Sequence, residues 1–224
     1  MKQGFFVTGT DTEVGKTIIS VGLIKVLQGR GYRVAAMKPV ASGCQQTQQG
    51  LRNKDALALQ AAADIKPAYE IVNPYAFAPA IAPHIAARQV DVSIDLERLL
   101  RFFQQIQTAA DAVVVEGAGG WQVPLNDHQT IADLALKINL PVVLVVAIKL
   151  GCINHALLSA DSIRATGLPL AGWVANDFLD DVEHTTIIES IAGRIGAPCL
   201  GVVPRLKKAD NAETYLNIGT ESCG

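Results

Sequence analysis

The most constraining feature of this chain is an alternation. Short runs dense in Val, Ile and Leu, at residues 5–8, 33–37, 112–115, 142–147, 171–174 and 200–203, are set apart by longer stretches. In those stretches, at residues 17–27, 55–63, 94–108, 131–138, 154–165 and 183–195, Ala, Leu and Ile recur at helical spacing. The short runs are continuously apolar, as strands covered on both faces of a parallel sheet are. Strands interleaved with helices predict an α/β chain: a doubly wound, mostly parallel sheet with helices on both faces and a ligand site beyond the carboxyl ends of its strands. Residues 66–83 hold four of the ten prolines and read as an irregular excursion, and the polar stretch after Pro204 reads as a tail that packs loosely or covers the site. Neither marks a domain boundary, so residues 1–224 are expected to form one domain.

Between the first strand and the first helix lies Thr8-Gly9-Thr10-Asp11-Thr12-Glu13-Val14-Gly15-Lys16-Thr17. A phosphate cradle needs a glycine-rich bend with backbone N–H groups facing an anion, a lysine for the β- and γ-phosphates and a hydroxyl for Mg²⁺. Gly15, Lys16 and Thr17 supply these at a helix N-terminus, where the helix dipole favours negative charge. The usual G-x-x-x-x-G-K-[ST] pattern places its first glycine where this chain has Thr10, with Gly9 one residue earlier. The plain alternative is a strand-to-helix turn closed by Gly9 and Gly15 with Lys16 in solvent; the strand before it and the helix after it favour phosphate binding.

Nucleotide-bound Mg²⁺ is held by one or two carboxylates, the loop hydroxyl, phosphates and water. Val113-Val114-Val115-Glu116 ends a buried-looking strand on a carboxylate, where the second phosphate-loop motif usually has Asp, and Gly117-Ala118-Gly119-Gly120 follows it. Such a run suits close approach of backbone to a ligand. Asp55 is ambiguous and reads equally as the cap of the helix behind it. Lys38 leaves the second strand into Pro39-Val40-Ala41-Ser42-Gly43, from where it can aim at a phosphate or a substrate anion; composition alone does not decide this. Asn176, just beyond residues 171–174, can present an amide to a base edge or simply start a loop. Asn53-Lys54-Asp55 lacks the spacing of a guanine-reading motif, and Ser42 has no nucleophile-elbow context.

Charge and composition remove other classes. Half the 224 residues are apolar and 18% are charged, which excludes a disordered chain. A net charge of -2 argues against nucleic acid or anionic lipid as a partner. The longest apolar run, residues 140–148, is far short of the roughly 20 residues that span a bilayer. Cys44, Cys152, Cys199 and Cys223 are scattered, and His84, His128, His155 and His184 form no metal spacing with them or with one another. A reduced, cytoplasmic enzyme is the expectation.

Taken together, TGTDTEVGKT at residues 8–17, KPVASG at 38–43, LRNKDALAL at 51–59, EGAGGW at 116–121, KLGCINH at 149–155 and GWVAN at 172–176 resemble the ATP-dependent dethiobiotin synthetase family. The shifted first glycine is the form that family uses. The resemblance implies ligase chemistry: CO2 is joined to 7,8-diaminononanoate and a cyclic urea is closed, with ATP cleaved to ADP and phosphate. It implies that Glu13, Val14, Gly15, Lys16, Thr17 and Ile18 hold the ATP phosphates, with Gly117, Ala118 and Gly119 alongside. Mg²⁺ falls to Thr17, Asp55 and Glu116. Lys38, Lys16 and Thr12 are the implied catalytic residues, and Thr12, Lys38, Ser42 and Gly119 the implied substrate contacts. Asn176, Asp177, Pro204, Arg205 and Leu206 correspond to adenine recognition, and Asp210 is the nearest candidate for the ribose. The family is a homodimer, which implies that Leu150, Gly151, Cys152 and Asn154 of one subunit reach the substrate carboxylate in the other. Cys152 then reads as a small residue near the site, with no neighbouring base to make it a nucleophile. The competing reading is a dimeric P-loop ATPase switch of the partitioning or metal-chaperone type.

Overall fold

A computed structural model describes residues 3–177, 182–206 and 209–219. Its strands are β1 (Gln3–Gly9), β2 (Val34–Met37), β3 (Val40–Ala41), β4 (Gln45–Thr47), β5 (Gly50–Arg52), β6 (Tyr75–Ala76), β7 (Ala112–Gly120), β8 (Val142–Ala147), β9 (Leu170–Asp177) and β10 (Cys199–Pro204). Its helices are α1 (Lys16–Gly29), α2 (Lys54–Ala62), α3 (Tyr69–Val72), α4 (Pro83–Gln89), α5 (Leu96–Ala109), α6 (Ile131–Ile138), α7 (Cys152–Ala165) and α8 (Val182–Ile195), followed by a 3-10 turn at Ala209–Tyr215. Six strands form one sheet in the order β10-β9-β8-β1-β7-β2, every pairing parallel.

The continuous apolar runs follow from that arrangement. Successive residues of a strand face opposite sides, and both sides here are covered. Phe6, Val113, Val115, Val142, Leu144 and Val146 pack into the core under α5, α6 and α7, while Phe5, Val7, Val114, Val143 and Val145 pack into the core under α1. A parallel sheet also gathers its carboxyl ends along one edge. The loop after β1, Lys38 after β2, Gly117–Gly120 at the end of β7 and Asn176 at the end of β9 therefore start from the same edge.

The helices begin where polar caps or glycines allow. Asn53 caps α2, its side chain accepting from the N–H groups of Asp55 and Ala56, so Asp55 is not the cap the sequence leaves open but a residue of the first turn. Asp95 caps α5, and Thr130 forms a capping box with Asp133 on α6. Such caps contribute about 1 kcal/mol each. Gly151 at φ 87° starts α7, two residues before the helix expected from residue 154.

Two sequence readings are corrected. Residues 66–83 are an excursion outside the main sheet, as expected, but not wholly irregular: α3 is followed by β6, which pairs in parallel with β3, and α4 begins at Pro83. A four-residue helix and two-residue strands are too short to show periodicity. The tail does not pack loosely either. Ala212, Leu216 and Ile218 are buried in the core on the α1 side, the Asn217 N–H donates to the Leu200 carbonyl at 2.7 Å, and Arg30 donates to the carbonyls of Ile218 and Gly219. Gly22 of α1 makes room for it, since a side chain there would meet Leu216 and Ala212 within 3 Å. Cys44, Cys152 and Cys199 are free thiols, while Cys223 lies outside the described residues. Among the described residues no helix is long and apolar enough to cross a membrane.

A methyl group at Gly201 would stand 2.0 Å from the Tyr215 carbonyl oxygen, whereas one at Gly29 would meet nothing within 4 Å. Gly201→Ala is therefore expected to destabilise the fold by about 1–3 kcal/mol through overpacking, and Gly29→Ala to stay within about 0.5 kcal/mol of the parent. Urea denaturation of both variants checks the prediction, and an unchanged midpoint for Gly201→Ala would contradict the packing of the tail.

Candidate functional site

The loop after β1 turns on backbone that most residues avoid. Glu13 has φ 60° and Gly15 φ 93°, the left-handed region in which a residue with a side chain is strained. Gly9 is needed for space: a Cβ there would lie 2.5 Å from the Val14 side chain. The loop delivers Lys16, only 7% exposed, with its ammonium donating to the Asp11 carbonyl at 2.7 Å. Burial lowers the Lys16 pKa from 10.5 to about 8; the Lys38 charge lowers it further, and Glu116, Asp55 and Asp11 oppose the shift. Four charged side chains thus converge on the head of Lys16.

Glu116 is the centre of this convergence. It sits fully buried in β7, and one oxygen serves two donors. Oε1 accepts from Thr17 Oγ1 at 2.9 Å and from Lys38 Nζ at 2.6 Å. Lys38, itself buried, also donates to the Gly117 carbonyl at 3.0 Å. Glu116 Oε2 is buried with no partner. A bare carboxylate oxygen beside a threonine hydroxyl, with the Asp55 charge acting on the neighbouring Lys16, is a hard oxygen donor set of the kind Mg²⁺ takes. Among the described residues no group of three or more His, Cys, Asp or Glu could hold a metal, so hydroxyl and phosphate oxygens would have to complete the shell.

The remaining residues singled out in the sequence fall into three places. Thr12 is exposed, and its N–H is held by the Asp11 side chain at 2.7 Å. Its hydroxyl lies 3.6 Å from where a Cβ on Gly119 would stand, and Gly119 has φ 63° with Val123 at its back, so glycine is required there. The Ser42 hydroxyl is buried without a partner, and its carbonyl accepts from the Asn53 amide at 3.4 Å. At the far end of the same edge, one N–H of the Asn176 amide donates to the Val14 carbonyl at 2.9 Å, tying β9 to the phosphate loop. Asp177 pairs with His184 Nδ1 at 2.6 Å. Pro204 ends β10, followed by an exposed Arg205 and a half-buried Leu206; the Asp210 side chain lies outside the described residues. Leu150 and Gly151 are exposed and Cys152 is buried at the start of α7, with Asn154 exposed in its first turn.

Several residues that sequence reasoning passed over belong to this neighbourhood. Lys149 reaches within 3.9 Å of the Asp11 carboxylate. His184, which has no metal spacing in the sequence, holds Asp177. Asn53, Tyr69 and Asn73 form a buried polar chain that the short elements of residues 66–83 hid.

A parallel sheet with a glycine-bent cradle at its carboxyl edge and a buried lysine, threonine and carboxylate around it defines a P-loop nucleotide-using α/β protein. The family model described as an AAA domain matches residues 3–213. Proteins named ATP-dependent dethiobiotin synthetase BioD match nearly end to end: one from Cellvibrio japonicus is 53% identical over 97% of this chain and 96% of its own. One from Marinobacter nauticus is 51% identical over 97% of each chain, and one from Pseudomonas aeruginosa is 52% identical over 98% of this chain and 97% of its own. The chain belongs to the ATP-dependent dethiobiotin synthetase family. Among solved structures, the septum site-determining protein MinD from Pyrococcus horikoshii, complexed with Mg-ADP, is similar with a TM-score of 0.57 at 15% identity, covering 92% of this chain and 82% of its own. The cell division ATPase MinD of Pyrococcus furiosus gives 0.58 at 16%, over 92% and 84%. That likeness shows the fold alone and lends the switch reading no support.

The lowered Lys16 pKa has a consequence for stability. Unfolded, Lys16 titrates near 10.5; folded, near 8. Between those values the unfolded chain binds the extra proton, so stability of the nucleotide-free protein rises with pH across that window. The gain from Lys16 is expected to be roughly 2 kcal/mol between about pH 7.5 and pH 10, and Lys16→Met is expected to lose it. Urea midpoints of the two proteins at both pH values check this; parallel midpoints would show that the buried ammonium carries no such penalty.

Proposed function

We propose that this chain closes the cyclic urea of dethiobiotin from 7,8-diaminononanoate, CO2 and ATP, releasing ADP and phosphate. The observation that carries the reading in this molecule is the shared oxygen of Glu116, which joins the phosphate-loop threonine to Lys38 in one buried cluster. In the first step one amine nitrogen attacks CO2 and loses a proton, giving a carbamate. A carbamate oxygen then attacks the γ-phosphorus of ATP, the bond to the β-phosphate oxygen breaks, and ADP leaves a carbamic–phosphoric anhydride. The second amine attacks the carbamoyl carbon, phosphate departs, and loss of a proton completes the ring.

Phosphoryl transfer asks the protein for position and charge more than for covalent chemistry. Lys16 and the loop N–H groups of Glu13–Ile18 neutralise the triphosphate. Thr17, Asp55 and Glu116 would hold Mg²⁺, which when bound supplies charge neutralisation at the β- and γ-oxygens. Lys38 stands between Glu116 and the substrate side and stabilises the anionic carbamate and the anhydride. Thr12, Ser42 and Gly119 line the place of the diamine; the unpartnered Ser42 hydroxyl is free to bond an amine. Gly117 and Ala118 form the floor between the two. Asn176, Asp177, Pro204, Arg205 and Leu206 face the base, with Asn176 acting through the loop it braces.

The enzyme works as a homodimer in this reading. Leu150 is fully exposed and Leu158 largely so, while Gly151 and Asn154 leave the N-terminus of α7 open, a surface that a second subunit would cover while presenting free N–H groups to the substrate carboxylate. The setting is cytoplasmic.

Phosphate release measured with ATP, Mg²⁺ and bicarbonate is expected to depend on added 7,8-diaminononanoate and to match the cyclic urea formed. Lys38→Ala is expected to lower that turnover at least about tenfold, the scale of one lost preorganised charge or more, while ATP still binds by calorimetry. No diamine dependence would overturn the function, and an unimpaired Lys38→Ala would remove Lys38 from the mechanism.

A further inference from the structure

The backbone around Lys38 and Ser42 is not held by the main sheet. Met37 is the last residue of β2, and beyond it the chain depends on residues 53–77. The Lys38 N–H donates to the Val72 carbonyl at 2.9 Å, and its carbonyl accepts from the Asn73 side-chain amide at 2.7 Å. Asn73 Oδ1 in turn accepts from the Tyr69 hydroxyl at 3.0 Å. That hydroxyl accepts from the Asn53 N–H at 2.7 Å. Asn53 then branches: its Oδ1 accepts from the Asp55 and Ala56 N–H groups at 3.0 and 3.1 Å, and its Nδ2 donates to the Ser42 carbonyl at 3.4 Å. Tyr69, Asn53 and Asn73 are all buried, and the Arg52 guanidinium lies over the Tyr69 ring, 4.1 Å from its centroid.

We infer that Tyr69, Asn73 and Asn53 are positioning residues for the ring-closing reaction, a buried relay that fixes Lys38, Ser42 and Asp55 relative to one another. The inference rests on the function proposed above. The phenol is the pivot, because its single oxygen both accepts and donates: Asn53 offers an N–H to it and Asn73 a side-chain oxygen. Burial raises the Tyr69 pKa above the ordinary phenol value, so the hydroxyl keeps the proton that Asn73 requires. Removing that hydroxyl strands a buried N–H and a buried amide oxygen at once. Leaving such groups unpaired is costly, and here the relaxation falls on the backbone that carries two substrate-side groups and on the helix start that carries Asp55.

A second tyrosine provides the control. The Tyr75 hydroxyl accepts from the N–H of Asp95 at 3.0 Å, and Asp95 caps α5 just as Asn53 caps α2. Tyr69→Phe and Tyr75→Phe therefore delete the same contact to a helix cap. The Tyr69 hydroxyl bonds into the network that reaches the Lys38 carbonyl, and the Tyr75 hydroxyl does not. The Tyr75 backbone, which meets that network at Asn73 and Pro39, is untouched by either substitution. Both are expected to lower the melting temperature. Tyr69→Phe alone is expected to weaken 7,8-diaminononanoate binding, titrated calorimetrically without nucleotide, and to lower kcat/KM for the diamine about tenfold, the kinetic equivalent of one such unmade bond. KM for ATP is expected to change less than KM for the diamine, because the relay bonds directly to the Lys38 and Ser42 backbone and meets the nucleotide side only through the start of α2 at Asp55. Should Tyr69→Phe fail to fold, Asn73→Ser, which frees the Lys38 carbonyl, carries the same expectation. A Tyr69→Phe or Asn73→Ser enzyme that differs from the parent only as Tyr75→Phe does, in melting temperature and not in diamine binding or turnover, would overturn the relay. Parent protein that neither binds the diamine nor releases phosphate in its presence would instead overturn the function on which the relay rests.

Discussion

The site depends on a charge placed where charges are expensive. Glu116 belongs to a strand flanked on both sides in the sheet, β1 on one side and β2 on the other, and has no access to water. An isolated buried carboxylate would cost several kcal/mol, and such a group persists only when paired and hydrogen-bonded. Lys38 and Thr17 meet that demand on one oxygen, so their side chains cannot wander. The geometry of the phosphate loop and of the Lys38 segment is thereby set from a single point. The second oxygen is left without a partner, an arrangement that favours a cation arriving with its own positive charge.

Lys16 and Lys38 would ordinarily repel one another, and the Lys38 charge does lower the Lys16 pKa, though less than burial does. Two ammonium groups are tolerated together only because Glu116, Asp55 and Asp11 stand among them. The three carboxylates do not fully offset burial and the Lys38 charge, so the Lys16 pKa stays lowered. A triphosphate would restore full protonation to Lys16, so anion binding and the lysine charge state are coupled in the sense that favours tight phosphate contact.

Much of this was legible in the sequence where long patterns or dense motifs carry it. All six strands of the main sheet and six of the helices show in the continuous apolar runs and the helical spacing, because a doubly covered parallel sheet needs those runs. The cradle shows because Gly15, Lys16 and Thr17 must be contiguous, and Glu116 because it ends an apolar strand. What was not legible are features made by short elements and single atoms. Asn53 rather than Asp55 caps α2, a distinction that rests on which side chain turns back to the N–H groups. The buried 3-10 tail looked polar because its three anchors, Ala212, Leu216 and Ile218, are diluted among polar neighbours. Asn176 read as a base-facing amide, and its bond to Val14 depends on a loop curvature that no spacing encodes.

The same distinction explains how a widely shared fold can carry a particular reaction. The likeness to the MinD structures, at 15% and 16% identity, covers 92% of this chain and is one of fold. Residues 38–111 lie between β2 and β7, neighbours in the sheet, and add no strand to it. Their short pairings, β3 with β6 and β4 with β5, instead build a wall beside the phosphate site. A wall made of short elements has few backbone bonds of its own and must take its rigidity from buried side chains. Asn53, Tyr69 and Asn73 are the buried polar groups that meet there, and the segment they hold is the one that carries Lys38 and Ser42. Rigidity around Lys38 and Ser42 is thus supplied by buried side-chain hydrogen bonds together with short backbone pairings, whereas the phosphate loop takes its rigidity from the sheet.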